Sequence, residues 1–264
     1  MAGATAVLEH VTSRDGTQIA YRRSGEGPPL VLAHGGTSAH WSFRFVVPHL
    51  VDRFTVYAVD RRGRGDSGDQ DEYAIEREFE DLAAVVDSPG EPAALFGHSY
   101  GATAALGAAR LARNLSKLLL YEASPGFSVV ASADVERIDE LVAQGEREEA
   151  LVHGFQAIGL TPDELEQLRA SPTWSARIAA AHTLAREIRA EEAYQVDPEQ
   201  FRDVTVPALL LLGDQSPDWA AEGTERIRAA LPDARIVVLP GQGHMANVTA
   251  PELLADEIAR FLSE

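Results

Sequence analysis

The sequence predicts an α/β fold, with an eight-stranded, mostly parallel sheet flanked by helices and interrupted by a helical insertion. Three observations lead to this prediction. Short apolar runs alternate with helical patterns along the chain, which is typical of parallel strands joined by crossover helices. The later runs are almost entirely apolar, as expected for strands that are covered on both faces. One long segment, residues 128–200, contains several amphipathic stretches but no convincing strand.

The predicted elements follow from these patterns in chain order. Strands are expected near residues 5–12, 17–23, 29–34, 54–60, 93–98, 117–122, 207–212 and 235–239. The first two strands flank a short RDGT turn, so they are expected to pair antiparallel as a hairpin. Helices are expected at residues 40–51, 73–87, 100–113, 222–231 and 251–262. The sequence therefore predicts a core of residues 1–127 and 201–264, with residues 128–200 inserted between the sixth and seventh strands.

Composition limits the partners and the location of the protein. The chain has 41 acidic and 23 basic residues and a formal charge of −18, so its surface repels nucleic-acid phosphates and anionic lipids. We therefore expect a small-molecule substrate and no nucleic-acid or membrane partner. The N-terminal stretch lacks the pattern of a signal peptide and the chain has no cysteine, which fits a cytoplasmic location. The oligomeric state is left open.

Metal and cofactor sites are not expected. The chain has 8 histidines, but they do not show the paired spacing of metal ligands. The Arg- and Gly-rich stretch RRGRGDSG lacks the third glycine that opens the helix of a dinucleotide site. We therefore expect chemistry that uses amino-acid side chains alone.

A candidate nucleophile lies between the fifth predicted strand and an alanine-rich helix. The segment Gly97-His98-Ser99-Tyr100-Gly101 has the form G-x-S-x-G. In that context a sharp turn holds the serine above the sheet edge, and the following helix aims its N-terminal amides at developing negative charge. Taken alone, the segment fits an ordinary glycine-rich turn between a strand and a helix equally well.

Two further segments favour the catalytic interpretation. Residues 31–38, VLAHGGTS, form a strand that ends in His-Gly-Gly and can supply the backbone N–H of Gly36. Together with the N–H of Tyr100, that group would form an oxyanion hole. Residues 238–247, VLPGQGHMAN, place His244 between glycines after the last strand. These segments predict a serine, a histidine and an oxyanion hole at one edge of the sheet.

These segments and VDRRGRGDSG, residues 59–68, occur in an order that resembles the α/β-hydrolase superfamily. The resemblance covers nearly the whole chain. It implies that Ser99 is the nucleophile, His244 the catalytic histidine, and residues 128–200 a helical cap. The residues expected to support the loops are His34, Arg62, Gly65, Ser67 and His98.

The catalytic carboxylate is harder to place. In this family it commonly follows the seventh strand in a pattern like G-x-x-D, but here the fourth position is Ser216. Asp214 lies two residues earlier and Asp218 two residues later. Glu122 ends the sixth strand after four apolar residues, and some members of the family take their acid from that position. Neighbouring strands lie about 4.8 Å apart, so either strand can bring a carboxylate to the histidine. Glu122 is the predicted acid, with Asp214 as the main alternative and Asp218 as the third.

The predicted function is hydrolysis of small to medium-sized, uncharged esters, lactones or thioesters through an acyl-enzyme on Ser99. The residues expected to line the substrate pocket are Trp41, Phe127, Trp174 and Trp219. The same triad could also serve carbon–carbon bond hydrolysis, perhydrolysis or lyase chemistry. A ligand-binding protein without turnover is an alternative of another class, which the missing G-x-x-D pattern keeps open.

Overall fold

The computed structural model describes residues 6–123, 125–126 and 129–264. Its sheet has eight strands, in the order β1-β2-β4-β3-β5-β6-β7-β8. The strands are β1 Val7–Thr12, β2 Gln18–Ser24, β3 Pro29–Ala33, β4 Thr55–Val59, β5 Ala93–His98, β6 Leu115–Tyr121, β7 Ala208–Gly213 and β8 Ala234–Leu239. β2 pairs antiparallel with both β1 and β4, and the remaining pairs are parallel. The predicted fold class is confirmed.

The central strands are buried on both faces, which explains their apolar sequences. In β6, Leu118 and Leu120 pack into one core cluster, whereas Leu119 and Tyr121 pack into the other. Successive side chains of a strand point to opposite faces, so an unbroken apolar run supplies both cores at once. The carboxyl ends of the parallel strands consequently meet at one edge of a rigid sheet.

The helices cover the two faces of the sheet and the region between β6 and β7. They are α1 Ile75–Asp87, α2 Tyr100–Ala108, α3 Ser132–Ala143, α4 Arg147–Ala157, α5 Pro162–Arg169, α6 Trp174–Ala179, α7 Leu184–Ala193, α8 Asp218–Ala230, α9 Ala246–Thr249 and α10 Pro251–Leu262. Helices α1, α2 and α8 contribute to the first core cluster and α10 to the second. In the described part of the chain, no helix has the length and the apolar run needed to cross a bilayer.

The helix predicted over residues 40–51 is wrong. The structure has two short 3-10 helices there, His40–Phe43 and Val47–His49. Pro48 lies in the second helix, where its missing N–H and its ring prevent a continuous α-helix from running through the segment. The buried side chains of Phe43, Val46 and Leu50 still pack against the sheet, so the apolar pattern predicted the burial but not the helix type.

Among the residues described between β6 and β7, where the insertion is predicted, the structure has five α-helices, α3 to α7. They have their own apolar contacts. One cluster includes Val135, Ile138 and Leu184, and a second includes Leu151 and Phe155. Both clusters are separate from the two clusters on the faces of the sheet. These helices therefore form a layer of their own beside the carboxyl edge of the strands.

Candidate active site

Ser99 occupies a strained turn between β5 and α2. Its backbone has φ 55° and ψ −130°, a conformation that is costly for any residue other than glycine. The turn is tight enough that a Cβ at Gly97 would overlap the carbonyl oxygen of Gly101. A Cβ at Gly101 would overlap the carbonyl oxygens of Ala33 and His34. The two glycines of the G-x-S-x-G pattern are thus required for close packing of β3, β5 and α2.

Glu122 and His244 form a close pair at the same edge of the sheet. His244 Nδ1 lies 2.6 Å from Glu122 Oε2, and the carboxylate is buried. The other carboxylate oxygen, Oε1, accepts hydrogen bonds from the Gly213 N–H at 2.7 Å and from the Ser216 hydroxyl at 2.5 Å. Glu122 also has a positive φ of 50°. The carboxylate is therefore fixed by two donors and oriented toward one nitrogen of the imidazole.

The other two acidic candidates have different surroundings. Asp214 is exposed, and its Oδ1 accepts hydrogen bonds from the Gly241 N–H at 2.7 Å and from Gln215 Nε2 at 3.1 Å. Asp218 is exposed and begins α8. Among the described residues, Glu122 supplies the carboxylate paired with His244. The structure therefore brings the first predicted acid to the histidine and leaves the two alternatives at the surface.

The loop that carries His244 is held by two buried side chains. The Tyr121 hydroxyl donates to the carbonyl oxygen of Gly243 and accepts from the Ala246 N–H at 3.3 Å. His98 Nε2 lies 2.8 Å from the carbonyl oxygen of His244 and must donate to it, so His98 is present as the Nε2–H tautomer. Burial and the neighbouring His244 lower the pKa of His98 to about 3. His98 is therefore neutral at physiological pH and fixes the loop that carries His244.

The loop after β3, which carries the predicted oxyanion donor Gly36, is fixed in a similar way. His34 Nδ1 lies 2.8 Å from the carbonyl oxygen of Gly35, and His34 Nε2 accepts from the Arg61 N–H at 3.1 Å. Burial, together with the positive charges of Arg61 and Arg64, holds the pKa of His34 well below its usual range. A neutral imidazole with one donor and one acceptor thus ties the loop to the segment after β4.

The predicted oxyanion donors lie beside Ser99. Gly36, Tyr100, Ser99 and His244 all line one cavity of about 130 Å³. Tyr100 is the first residue of α2, so its N–H has no acceptor within the helix. Within the described chain, no hydrogen bond has the Gly36 N–H as its donor. The two residues predicted to donate to an oxyanion therefore line the same cavity as Ser99, and their N–H groups are available for such a role.

The cavity is closed by apolar side chains from the helices between β6 and β7. Those in its lining are Phe155, Ile158, Leu160, Leu168, Leu184 and Ile188. A second cavity of about 340 Å³ shares Ile158, Leu160 and Leu168 with the first, together with His244 and Met245. The two cavities therefore adjoin at the histidine, and these apolar side chains form part of the wall of both.

The four aromatic residues that were predicted to line the pocket lie in different surroundings. Trp219 lines the second cavity, and its ring meets the His244 ring edge to face at 5.2 Å. Trp41 and Trp174 are absent from the described lining of both cavities. Trp41 packs under the Arg177 guanidinium, and Trp174 packs near Phe155 and donates its indole N–H to Glu148. Phe127 lies outside the described residues. The structure thus places Trp219 in the wall of the second cavity, whereas the contacts given for Trp41 and Trp174 are with neighbouring side chains.

Three further predicted supporting residues hold the loop after β4. Arg62 donates two hydrogen bonds of 2.7 Å to the Asp81 carboxylate, and both side chains are buried. The Ser67 hydroxyl donates to the carbonyl oxygen of Asp60 and accepts from the Ala20 N–H. Gly65 has a φ of 54°, and a Cβ there would overlap the Asp60 side chain. These contacts are structural.

The sequence did not predict a group of buried charges behind the oxyanion loop. Glu187 from α7 contacts Arg61 and Arg64, and Glu78 lies 3.2 Å from Arg61. Burial raises the pKa of Glu187, although the two arginines oppose this shift. A second buried arginine site, at Arg177, lines the Ser99 cavity. In the sequence these residues look like ordinary charges on amphipathic helices, and no pattern distinguishes them.

The described residues do not include a cluster of three or more His, Asp or Glu side chains arranged to hold a metal ion. The side chains brought together at the edge of the sheet are instead a serine, a histidine and a carboxylate. That set can transfer a proton from a hydroxyl to a histidine and support nucleophilic attack by the serine oxygen.

Comparison with known proteins gives matches along most of the chain. A model described as the alpha/beta hydrolase family matches residues 30–257. The chain is 28% identical over 261 residues to a 2-(acetamidomethylene)succinate hydrolase of Mesorhizobium japonicum, covering 91% of this chain and 90% of that protein. It is 26% identical over 271 residues to a 2-hydroxy-6-oxo-6-(2'-aminophenyl)hexa-2,4-dienoic acid hydrolase of Metapseudomonas resinovorans, covering 98% and 92%. The crystal structure of an alpha/beta hydrolase from Sphaerobacter thermophilus superposes with a TM-score of 0.85 at 36% identity, covering 96% of this chain and 100% of that one.

Proposed function

The chain belongs to the alpha/beta hydrolase family, and from that membership we propose that it is a serine hydrolase that forms an acyl-enzyme on Ser99. The proposed substrates are small carboxylic esters, lactones or thioesters. Hydrolase chemistry as such is supported by the family and by the names of the relatives. The finer assignment rests on the geometry of the site.

The observation that carries the proposal is the 2.6 Å contact between His244 Nδ1 and Glu122 Oε2. A carboxylate on Nδ1 holds the imidazole in one orientation and leaves Nε2 to exchange a proton with the nucleophile. Ser99 lines the same cavity as His244 and lies at a strained turn, where a hydroxyl is exposed to substrate. These three residues together support the roles of nucleophile, base and orienting acid.

The reaction proceeds in two halves. The Ser99 hydroxyl attacks the carbonyl carbon while His244 takes its proton, and the N–H groups of Gly36 and Tyr100 bind the oxyanion. His244 then returns the proton to the leaving oxygen or sulfur atom, and the acyl group remains on Ser99. Water attacks the acyl-enzyme with His244 again as the base. The acid is released and Ser99 is restored.

The size of the cavity supports a small substrate. A volume of about 130 Å³ at Ser99 holds little more than a short acyl group, and the adjoining cavity of about 340 Å³ can take the other part of the molecule. The apolar walls favour carbon-rich groups and keep bulk water away from the oxyanion. No metal or organic cofactor is part of the proposed mechanism.

Replacing Ser99 tests the proposal. Wild type and Ser99→Ala are assayed on a panel of short-chain p-nitrophenyl esters, small lactones and acyl thioesters, with Ser175→Ala as a matched control at an exposed serine. We expect wild type and Ser175→Ala to turn over at least one compound, and Ser99→Ala to lose that turnover by about 1,000-fold or more. Turnover that survives in Ser99→Ala would contradict an acyl-enzyme on this residue.

Carbon–carbon bond hydrolysis by the same triad is the second candidate. Its support is the 26% identity to a relative whose named substrate contains a ketone and a carboxylic acid rather than an ester. Adding vinylogous 1,5-diketones to the panel separates the two candidates. Cleavage of the diketone with no turnover of any ester or thioester would favour the second.

A further inference from the structure

Arg177 is a buried cation in the wall of the Ser99 cavity. It lies in α6, is 6% exposed, and lines both adjoining cavities. Its guanidinium lies 4.9 Å from the centre of the Trp41 ring and 5.9 Å from that of Phe155. Burying a charge away from water is strongly unfavourable unless an opposite charge or several hydrogen bonds offset the lost hydration.

The described residues supply very little of that compensation. Arg177 Nη1 makes one long hydrogen bond of 3.4 Å, to the carbonyl oxygen of Thr37, and Nε is buried with no partner. No ion pair joins Arg177 to an acidic residue anywhere in the described chain. Burial and the like charge of Arg44 lower the pKa of Arg177 to about 10, and no carboxylate opposes this shift. The site therefore lacks an anion that an arginine in such a place requires.

The acidic side chains that line the cavity have partners other than Arg177. Glu187 contacts Arg61 and Arg64, whose positive charges offset its negative charge. Glu191 accepts a hydrogen bond from the Thr103 hydroxyl. His98 is neutral, because burial lowers the pKa of its imidazole to about 3. Arg177 is thus the cavity-lining cation that none of these groups neutralises.

Arg177 lies close to the reaction centre and beside further donors. Its bond to the Thr37 carbonyl ties it to the residue that follows Gly36, one of the two proposed oxyanion donors. The hydroxyls of Thr37 and Ser38 line the same cavity and are buried without partners. A guanidinium and two hydroxyls, all without full hydrogen bonding and all on residues of one cavity wall, are groups that can bind a carboxylate.

We propose that Arg177 binds a carboxylate of the substrate, so that this hydrolase acts on anionic small molecules with a carboxylate close to the scissile carbonyl. The inference rests on the proposed function and adds the substrate class. From the net charge of the chain we expected an uncharged substrate, and the proposed anionic substrate replaces that expectation. Salt screens the distant charges of the surface, so the nearby cation in the Ser99 cavity has the larger effect on a bound substrate. The Thr37 and Ser38 hydroxyls donate to the same carboxylate.

Paired substrates that differ only in this charge test the inference. They are the methyl half-esters of malonic, succinic and glutaric acids and the corresponding methyl esters in which an amide replaces the free acid. The measured quantity is the ratio of kcat/KM for each acid to that for its amide. We expect at least one pair to favour the acid by about 10-fold or more in wild type. In Arg177→Gln that ratio should fall by about 10- to 100-fold, and Arg177→Lys should restore part of it.

The ratio distinguishes recognition of the charge from general damage, because a misfolded or misaligned site lowers both rates together. Arg189→Gln is the matched control, since Arg189 is 51% exposed on α7 and pairs at the surface with Asp139. It should leave the ratio unchanged. A wild-type ratio at or below one for all pairs, or a ratio that Arg177→Gln does not alter, would overturn the inference.

A binding measurement keeps the inference testable if the proposed function fails. Should wild type turn over no ester, the same half-esters are titrated calorimetrically into wild type and Arg177→Gln. Binding of a half-ester in preference to its amide, lost in Arg177→Gln, would support Arg177 as a carboxylate site in a protein without esterase activity. Equal binding of acid and amide, or no binding of either, would overturn it.

Discussion

The Ser216 hydroxyl donates a 2.5 Å hydrogen bond to Oε1 of Glu122, across the ends of β6 and β7. Ser216 occupies the position where the family pattern after the seventh strand commonly has the acid. Here that position supplies a hydrogen-bond donor, and the carboxylate comes from the neighbouring strand. The bond to Ser216 and the bond to the Gly213 N–H leave Oε2 of Glu122 directed at His244.

Replacing Ser216 tests this positioning role. In Ser216→Ala one of the two donors to a buried carboxylate is lost, so the imidazole is held less firmly. We expect kcat to fall about 10-fold with little change in KM, and the free energy of unfolding to fall by about 1–3 kcal/mol. Ser216→Thr keeps the hydroxyl and should retain most of the activity. A Ser216→Ala protein with unchanged kcat would show that the Gly213 N–H suffices to orient the acid.

Replacing Gly101 with alanine tests the packing of the turn that carries Ser99. Helix propensity alone favours Gly101→Ala by about 1 kcal/mol, but the added Cβ would overlap the carbonyl oxygens of Ala33 and His34. We expect the overlap to dominate, because it involves backbone atoms that cannot move without shifting β3. The free energy of unfolding should fall by about 1–3 kcal/mol and esterase activity should be lost.

Gly90→Ala is the control for Gly101→Ala. Gly90 has a φ of 73° and no atom within 4 Å of an added Cβ, so its replacement strains the backbone without displacing the site. Chemical denaturation should show a loss of about 1 kcal/mol there, with activity retained. Full activity in Gly101→Ala would mean that α2 can move away from β3 without disturbing Ser99.

The low pKa of His98 makes the free energy of unfolding depend on pH in the acidic range. Its pKa is about 3 in the folded protein, against an ordinary value of 6.5. Between these values the unfolded chain binds a proton that the folded protein does not, so the free energy of unfolding falls as the pH is lowered. The contribution is about 1.4 kcal/mol per pH unit.

His98→Gln removes the imidazole that binds this proton in the unfolded chain, and the glutamine amide can still donate to the His244 carbonyl oxygen. Its loss of stability between about pH 6 and pH 4 should be about 2 kcal/mol smaller than that of wild type. Urea denaturation at both pH values measures the difference. Equal losses in the two proteins would mean that His98 binds a proton in the folded protein about as readily as in the unfolded chain.

The sequence predicted the fold because the fold is encoded by long, repeated patterns. The apolar runs of β3 to β7 specify buried parallel strands, and the strained turn at Ser99 requires the glycines that made it recognisable. Glu122 stood out because a carboxylate after four apolar residues ends a buried strand and needs partners. The structure supplies those partners at Gly213, Ser216 and His244.

The remaining features depend on tertiary contacts that no local pattern encodes. Residues 40–51 bury the expected side chains, but Pro48 divides the segment into short 3-10 helices. Arg177 and Glu187 are single charges on helices that also carry solvated charges, and only the packing of those helices against the sheet buries them. Trp174 looks like a pocket residue in sequence, yet its indole N–H bonds to Glu148 outside the cavity lining.

In the proposed mechanism, Glu122 activates Ser99 through His244. The most direct test is the rate of covalent labelling by a fluorophosphonate, followed by intact mass, in wild type, Glu122→Gln and Asp214→Asn. We expect fast labelling of wild type and Asp214→Asn, and labelling slowed by about 1,000- to 10,000-fold in Glu122→Gln. Fast labelling of Glu122→Gln, or slow labelling confined to Asp214→Asn, would contradict it. No labelling of wild type would instead favour a ligand-binding protein without turnover.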